Sequence, residues 1–434
     1  MKRVMCEILS LAAICLLIAC NKSGKTAAGG GQKVELTWWA TTSGPAELYQ
    51  PAAEKLVRQY NETNTKNTHV TIEHIGNNAY EMLLTGIASG NAPDAMVSWS
   101  PHPMLLGLSG EGLPLNSIID EWKAEGGAMI NDVDQVMWDF NTAPDGTVYG
   151  LPYRYDPRIM TYRTDWFQQA GITTMPKTWN EFLDVLRKLK KTFPDKVPLI
   201  VGGGQYNAIH AIIGFGANNN TGWFDENMKP AMTSKAWIEM LEFFGTMYKE
   251  GLISEGSAAY TGDDMDKMYL AGEGAIMYRG VPSVVRGTEL EAVSSIMPPL
   301  QGPSGTQQQT YAWVNGAFGI KSTKHPEETK AWLKWWTENN ILMWTEGGCS
   351  NLPMRKSYQQ TAAIQNDRFL KETVDAIAYG CVTNTYKVPY MYLEFGQIEG
   401  EGIPGNALRE VMAGATNYAE IAKKYEDAMV AAIK

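Results

Sequence analysis

The side chains able to do chemistry here are mostly rings and planar polar groups, not nucleophiles or metal ligands. Gly202-Gly203-Gly204 follows an apolar run, but Asn207 stands where a dinucleotide fingerprint needs its last glycine, and no Gly-Lys-Ser/Thr phosphate loop occurs. There is no Gly-x-Ser-x-Gly elbow and no His-Glu-x-x-His pair. His69 and His74 are an odd number of residues apart, so on one strand they face opposite sides. Asp263, Asp264 and Asp266 suggest a calcium loop, but the glycine and glutamate that follow are misplaced, and a helix N-terminus accounts for them better. No Cys/His spacing for zinc exists, so neither a metal nor a cofactor is expected. Paired carboxylates for glycoside hydrolysis stay open.

Rings are plentiful: 14 Trp and 20 Tyr exceed what a core demands and point to a ligand held by stacking. In open α/β sheets ligands bind beyond the carboxyl ends of the strands, which singles out the residues after each strand. Those are Trp39, Thr42, Ser43 and Gly44 after the first, and Trp99 and His102 after the third. Later in the chain come Gln205, Tyr206 and Asn207, then Trp223, Arg279 with Gly280, and Trp313 with Asn315. Rings pack on apolar ligand faces, while planar polar groups fix hydroxyl positions. Trp38 alternates with Leu36 and belongs to the core, which leaves Trp39 for the site. Trp99 ends a buried strand and suits cleft or core equally. Trp223, in an Asn/Gly-rich loop, is expected to be exposed. Arg279 serves either a ligand or a neighbouring acid.

The elements that must position these residues alternate between strand and helix. Val34 to Trp38 alternates like a strand, and Pro45 opens a helix that Pro51 should kink or shorten. A strand around Val70 and Ile72, a helix near Tyr80 to Ser89 and a strand at Ala95 to Trp99 follow. This β-α-β-α-β order is that of an α/β lobe. In the second half Thr178-Trp179-Asn180-Glu181 is a capping box before an apolar helical stripe. Short strands follow at Leu199 to Gly202, Ala275 to Tyr278 and Ala317 to Ile320, with a helix from Trp237 to Lys249 between the first two. The helix opened by Pro326 carries Trp332, Trp335 and Trp336, expected to be core.

The N-terminus carries its own chemistry. Lys2 and Arg3 precede a short apolar run, Ile8 to Ala19, about half of the ~20 residues that span a bilayer. The run ends in Leu17-Ile18-Ala19-Cys20, which resembles a bacterial lipoprotein box. That resemblance implies a signal peptide at 1–19, lipidation of Cys20, and a flexible tether at 20–33 holding the protein to a membrane. Cys349 and Cys381 then remain in the body, as a disulfide or as two free thiols. The net charge of −10 with no basic cluster leaves no footprint for nucleic acid.

A longer stretch reads Asp145-Gly146-Thr147-Val148-Tyr149-Gly150-Leu151-Pro152-Tyr153, then Met160 to Phe167, Gly171-Ile172, and Pro176-Lys177-Thr178-Trp179-Asn180-Glu181-Phe182. It resembles the family 1 extracellular solute-binding proteins, the maltose-binding-protein-like subunits of ABC transporters. Arg163 departs from the family's usual Asn. Asn91-Ala92-Pro93-Asp94, Gly272 to Tyr278 and Val314 to Ile320 fit further steps of the same pattern.

The resemblance implies an α/β chain with the two-lobed periplasmic-binding-protein type II fold, each lobe built from discontinuous pieces. The expected N-terminal lobe is 34–152 with 300–348, and the C-terminal lobe is 153–299 with 349–434. Crossovers are expected near Leu151 to Tyr155, Ile296 to Leu300 and Gly347 to Leu352, placing Tyr153, Arg154 and Tyr155 at the cleft. Arg154, Asp156 and Arg158 are alternatively a surface ion-pair cluster. The implied function is capture of a sugar by a monomeric, lipid-anchored protein on the extracytoplasmic face, for delivery to the transmembrane subunits of an ABC permease. A polyamine, glycerophosphodiester or peptide cargo, or a secreted carbohydrate-active enzyme, remains the alternative.

Overall fold

The computed structural model describes residues 33–433, apart from 77, 100, 205 and 389. The expected signal segment, Cys20 and all of the tether but Lys33 lie outside the described residues, as does Gln205. Among the described residues no helix is long and apolar enough to cross a membrane.

The first lobe begins with β1 (Val34–Thr41), α1 (Ala46–Thr63), β2 (Thr68–Ile75), α2 (Ala79–Ser89) and β3 (Ala95–Ser98). β1 pairs in parallel with both β2 and β3, the arrangement expected of a β-α-β-α-β run. Pro45 is the N-cap of α1 rather than its first residue. The helix continues through Pro51 to Thr63, so the proline does not shorten it. Pro51 lies on the exposed side, so the carbonyl left without an N–H partner faces solvent.

The central strand is β4 (Leu151–Arg163), followed by β5 (Val197–Ile200), β6 (Gly274–Arg279), β7 (Ser294–Met297), β8 (Thr310–Gly319), β9 (Leu352–Pro353) and β10 (Cys381–Val382). The sheet order is β2-β1-β3-β8-β4-β6-β5, with β10 on β8 and β7 and β9 on β4. β4 belongs to two ladders. Through Arg158 it pairs with β8 and β9, and from Ile159 onward with β6 and β7. The change of partner falls just beyond the expected crossover at Leu151 to Tyr155. After β7 the chain returns to the first ladder as β8, which pairs with both β3 and β4.

Local signals are realised where they stand alone. Thr178 and Glu181 close a reciprocal capping box on the helix Trp179–Thr192. Thr261 and Asp264 do the same for the helix Gly262–Leu270, so the aspartate run is a helix start. No group of three His, Cys, Asp or Glu able to hold a metal ion occurs among the described residues.

The main core includes Trp38, Trp332 and Trp336, with Trp332 edge-on to Trp38 at 5.5 Å. Trp335 is only partly buried and stacks on Trp332. A second cluster covers the opposite face of the first ladder, with Trp39, Leu83, Met96, Leu106 and Phe318. The first ladder is thus buried on both faces, as mostly parallel sheets are. Cys349 and Cys381 are both free thiols.

Candidate ligand-binding cleft

The floor of the candidate cleft is the β4–β8 pair. Arg154 lies opposite Asn315, Asp156 opposite Trp313, and Arg158 opposite Tyr311. Directly opposed residues of antiparallel strands project to the same side, so these six share one face. Arg158 donates to both carboxylate oxygens of Asp156, at 2.6 and 3.1 Å. Burial pushes the Asp156 carboxyl up, but the Arg158 guanidinium more than offsets it and holds the group below its ordinary value. This corrects the surface-cluster alternative: Arg154 and Arg158 are 2% and 8% exposed. Arg154 also donates to Tyr49 Oη at 2.8 Å.

Two contiguous spaces open beside this floor. One, of about 160 Å³, is lined by polar residues including Asp156, Asp266, Arg279, Gly280 and Asn351. The other, of about 590 Å³, is lined by Gly44, Leu48, Arg286, Trp344, Cys349 and Asp367 among others. They share Ser283, Val284 and Ser350. Each arginine at their walls faces an aspartate: Arg158 with Asp156 at 2.6 Å, Arg279 with Asp266 at 3.6 Å, and Arg286 with Asp367 at 2.5 Å. The chamber is therefore dense in hydrogen-bonding groups and close to charge balance.

Gly44 is required where it stands. Its φ is +136°, and a Cβ there would lie 2.6 Å from the Gly348 carbonyl oxygen. This close approach brings the loop after β1 against the expected third crossover. Ser43 Oγ donates to Asn351 Oδ1 at 2.9 Å, and Trp344 Nε1 donates to the Asn351 carbonyl at 2.6 Å.

The structure brings Gly44, Arg279 and Gly280 to these spaces, with Ser43 joined to Asn351 beside them; Arg154, Trp313 and Asn315 lie on the β4–β8 pair but line neither space. Thr42 follows β1 and is half-buried. Tyr206 is 54% exposed and sits edge-on to Trp313, with ring centroids 6.0 Å apart. Asn207 begins the helix Asn207–Asn218 and caps back onto the Gly204 carbonyl. Trp99 is half-buried against the main core, its ring 6.0 Å from that of His102, which stacks on Tyr80 at 4.1 Å. Burial lowers the pKa of His102 to about 3, so its ring is neutral.

Four expected rings are placed differently. Trp39 is buried in the second core cluster and donates to Glu73, because β1 is covered on both faces and alternation does not free one side. Trp223 is 2% exposed and packs on Phe395 at 5.8 Å, so the Asn/Gly-rich setting did not make it a surface ring. Tyr155 is wholly buried, and its hydroxyl donates to Asp134. Tyr153 is buried too, its hydroxyl 3.1 Å from that of Tyr49 and its ring 5.5 Å from Trp344. Residues absent from the expected site are Trp344, Arg286, Asp367, Ser350 and Asn351. The expected crossover at Gly347 to Leu352 was the local pointer to Ser350 and Asn351, and nothing local marked the other three.

Residues 38–340 match the family described as bacterial extracellular solute-binding protein. The chain belongs to that family. Among curated relatives, lipoprotein LipO of Bacillus subtilis (strain 168) is 25% identical over 238 residues, 48% of this chain and 46% of that protein. The sn-glycerol-3-phosphate-binding periplasmic protein UgpB of Agrobacterium fabrum (strain C58 / ATCC 33970) is 23% identical over 257 residues, 56% of each. The chain thus spans about half the length of the curated relatives it matches. A sugar transporter from Arthrobacter chlorophenolicus A6, solved with bound laminaribiose, superposes with a TM-score of 0.79 at 19% identity, covering 92% of this chain and 100% of that one. This solute-binding protein therefore has the two-lobed type II α/β fold, and its two ladders meet at β4.

Proposed function

We propose that this solute-binding protein captures a neutral saccharide between its lobes and delivers it to the transmembrane subunits of an ABC importer. The observation that carries the reading is the charge-balanced polar chamber beside β4, which opens into a wider space bearing the Trp344 indole. Hydroxyl-rich guests need many fixed donors and acceptors without net charge, and rings cover their C–H faces. The laminaribiose carried by the structural neighbour is a guest of this kind.

The name of the UgpB relative favours a phosphate ester as a second reading. Against it, Arg158 and Arg286 are each hydrogen-bonded to an aspartate and Arg279 faces Asp266 at 3.6 Å, so the chamber offers a phosphate no net positive charge. A non-sugar amine or peptide has no such supporting name, and the protein acts as a binder, not an enzyme, in this reading. Cys20 carries the lipid that holds a monomer at the extracytoplasmic face, in keeping with the LipO relative's designation as a lipoprotein. The lobes divide as 34–152 with 300–348 and 153–299 with 349–434, β4 linking them.

A thermal-shift screen tests this directly. Ligand at a hundredfold excess over its dissociation constant stabilises the folded state by about 2.7 kcal/mol. A mono- or disaccharide is expected to raise the melting temperature. A shift with glycerol 3-phosphate or spermidine and with no saccharide refutes the reading.

A further inference from the structure

Every nitrogen of the Arg158 guanidinium is engaged. Nη1 and Nη2 hold Asp156, and Nε donates to His210 Nδ1 at 3.1 Å. Because His210 accepts at Nδ1, its proton sits on Nε2 and the ring is neutral. Burial, with the Arg158 and Arg279 charges beside it, keeps the pKa of His210 well below the ordinary histidine value. The ring is fixed edge-on by Trp313 at 5.2 Å and lies 6.0 Å from Tyr311.

The three residues join β4 to a neighbouring helix. His210 belongs to the helix Asn207–Asn218, while Arg158 and Asp156 lie on β4 where it still pairs with β8. Arg158 is set behind, with 7% of its side chain exposed, and Asp156 stands in front with 30% exposed toward the 160 Å³ chamber. A carboxylate offers about four acceptor positions, of which Arg158 takes two. Gly280 lines the same chamber close by, and a Cβ there would be in van der Waals contact with Asp156 Oδ1 at 3.4 Å, so the glycine leaves that side of the carboxylate free of a side chain.

We propose that Asp156 is the acceptor that reads a donated ligand hydroxyl in the polar chamber, and that Arg158 and His210 are positioning residues that fix its orientation. This rests on the saccharide reading. An oriented acceptor that the guest covers discriminates by what it leaves unpaired: a guest lacking the hydroxyl strands a desolvated carboxylate, and the penalty sets specificity. Arg158 holds the carboxylate through both terminal nitrogens, so its part in recognition is to orient Asp156.

The test is calorimetry on the purified protein with maltose, laminaribiose and their monodeoxy analogues as probes. The wild type is expected to bind a saccharide and to reject one deoxy analogue. Asp156→Asn is expected to lose about tenfold or more in affinity and to lose that discrimination. His210→Phe is expected to lose about three- to tenfold, and His210→Asn, whose Oδ1 takes the place of Nδ1, to recover most of it. Melting temperatures without ligand identify any variant that merely folds poorly; the His210→Asn rescue is a readout that loss of packing does not supply. Saccharide binding by the wild type with Asp156→Asn unchanged overturns the proposal alone. His210→Asn no better than His210→Phe overturns the relay. A wild type silent to every saccharide overturns the saccharide reading and the proposal with it.

Discussion

Trp313 of β8 lies directly opposite Asp156 of β4, so an indole and a carboxylate share one face of the strand pair at the junction of the two ladders. Apolar surface and a fixed acceptor thus meet at one point, as a sugar ring with an apolar face and a hydroxyl rim requires. Trp313 Nε1 is buried without a partner in the structure. Trp313→Ala is expected to weaken saccharide binding by about tenfold or more, because stacked rings are among the largest single contributors at binding sites. Trp313→Phe keeps the ring and should retain most of the affinity. Titration of both variants checks this.

Trp223 is the counter-case. It is buried against Phe395 and belongs to neither strand of the β4–β8 pair. Trp223→Ala is expected to cost about 3–5 kcal/mol of stability through the cavity left behind. Saccharide affinity, measured where the variant is still folded, should stay within about threefold of the wild type, below the tenfold that 1.4 kcal/mol would give. Urea unfolding with parallel titration separates the two effects.

Gly44→Ala introduces a Cβ 2.6 Å from the Gly348 carbonyl oxygen at a φ of +136°. Backbone strain of this kind costs about 1–3 kcal/mol, and here the clash is with another backbone segment. Stability should fall by at least that amount. Affinity should fall with it, because the displaced segment carries Ser350 and Asn351 into the chamber.

Glu399 supplies a pH dependence. Burial raises its carboxyl from the ordinary 4.5 to about 7, with only a hydrogen bond from Asn384 at 3.2 Å to oppose it. Between those values the folded chain holds a proton that the unfolded chain has released. Stability is therefore greatest below about pH 4.5 as far as this group is concerned, and falls as pH rises through about 7, by on the order of 3 kcal/mol. Glu399→Gln should flatten that slope and be the more stable form above neutral pH. Unfolding curves at a series of pH values decide it.

Legibility in the sequence followed the range of the interactions. The capping box at Thr178 and the helix start at Asp263 and Asp264 are set within four residues, and both were readable; the Thr261 cap itself came from the structure. β4 was readable only through the family resemblance, because Pro152 and Pro157 and its run of charges argue against a strand; its pairing is irregular between Pro152 and Arg154. Trp39 misled because alternation marks a strand with one covered face, and β1 has two. Arg286 and Asp367 are 81 residues apart and meet only in the folded chain. Such a pair leaves no local trace, so the charge balance of the chamber was invisible before the fold was known.

Isothermal titration of the purified protein with maltose and laminaribiose, followed by recovery of the sugar, tests the central claim most directly. One saccharide should bind saturably at one site per chain and be recovered intact. No binding of any saccharide, alongside binding of glycerol 3-phosphate or spermidine, would contradict it, as would recovery of hydrolysed sugar.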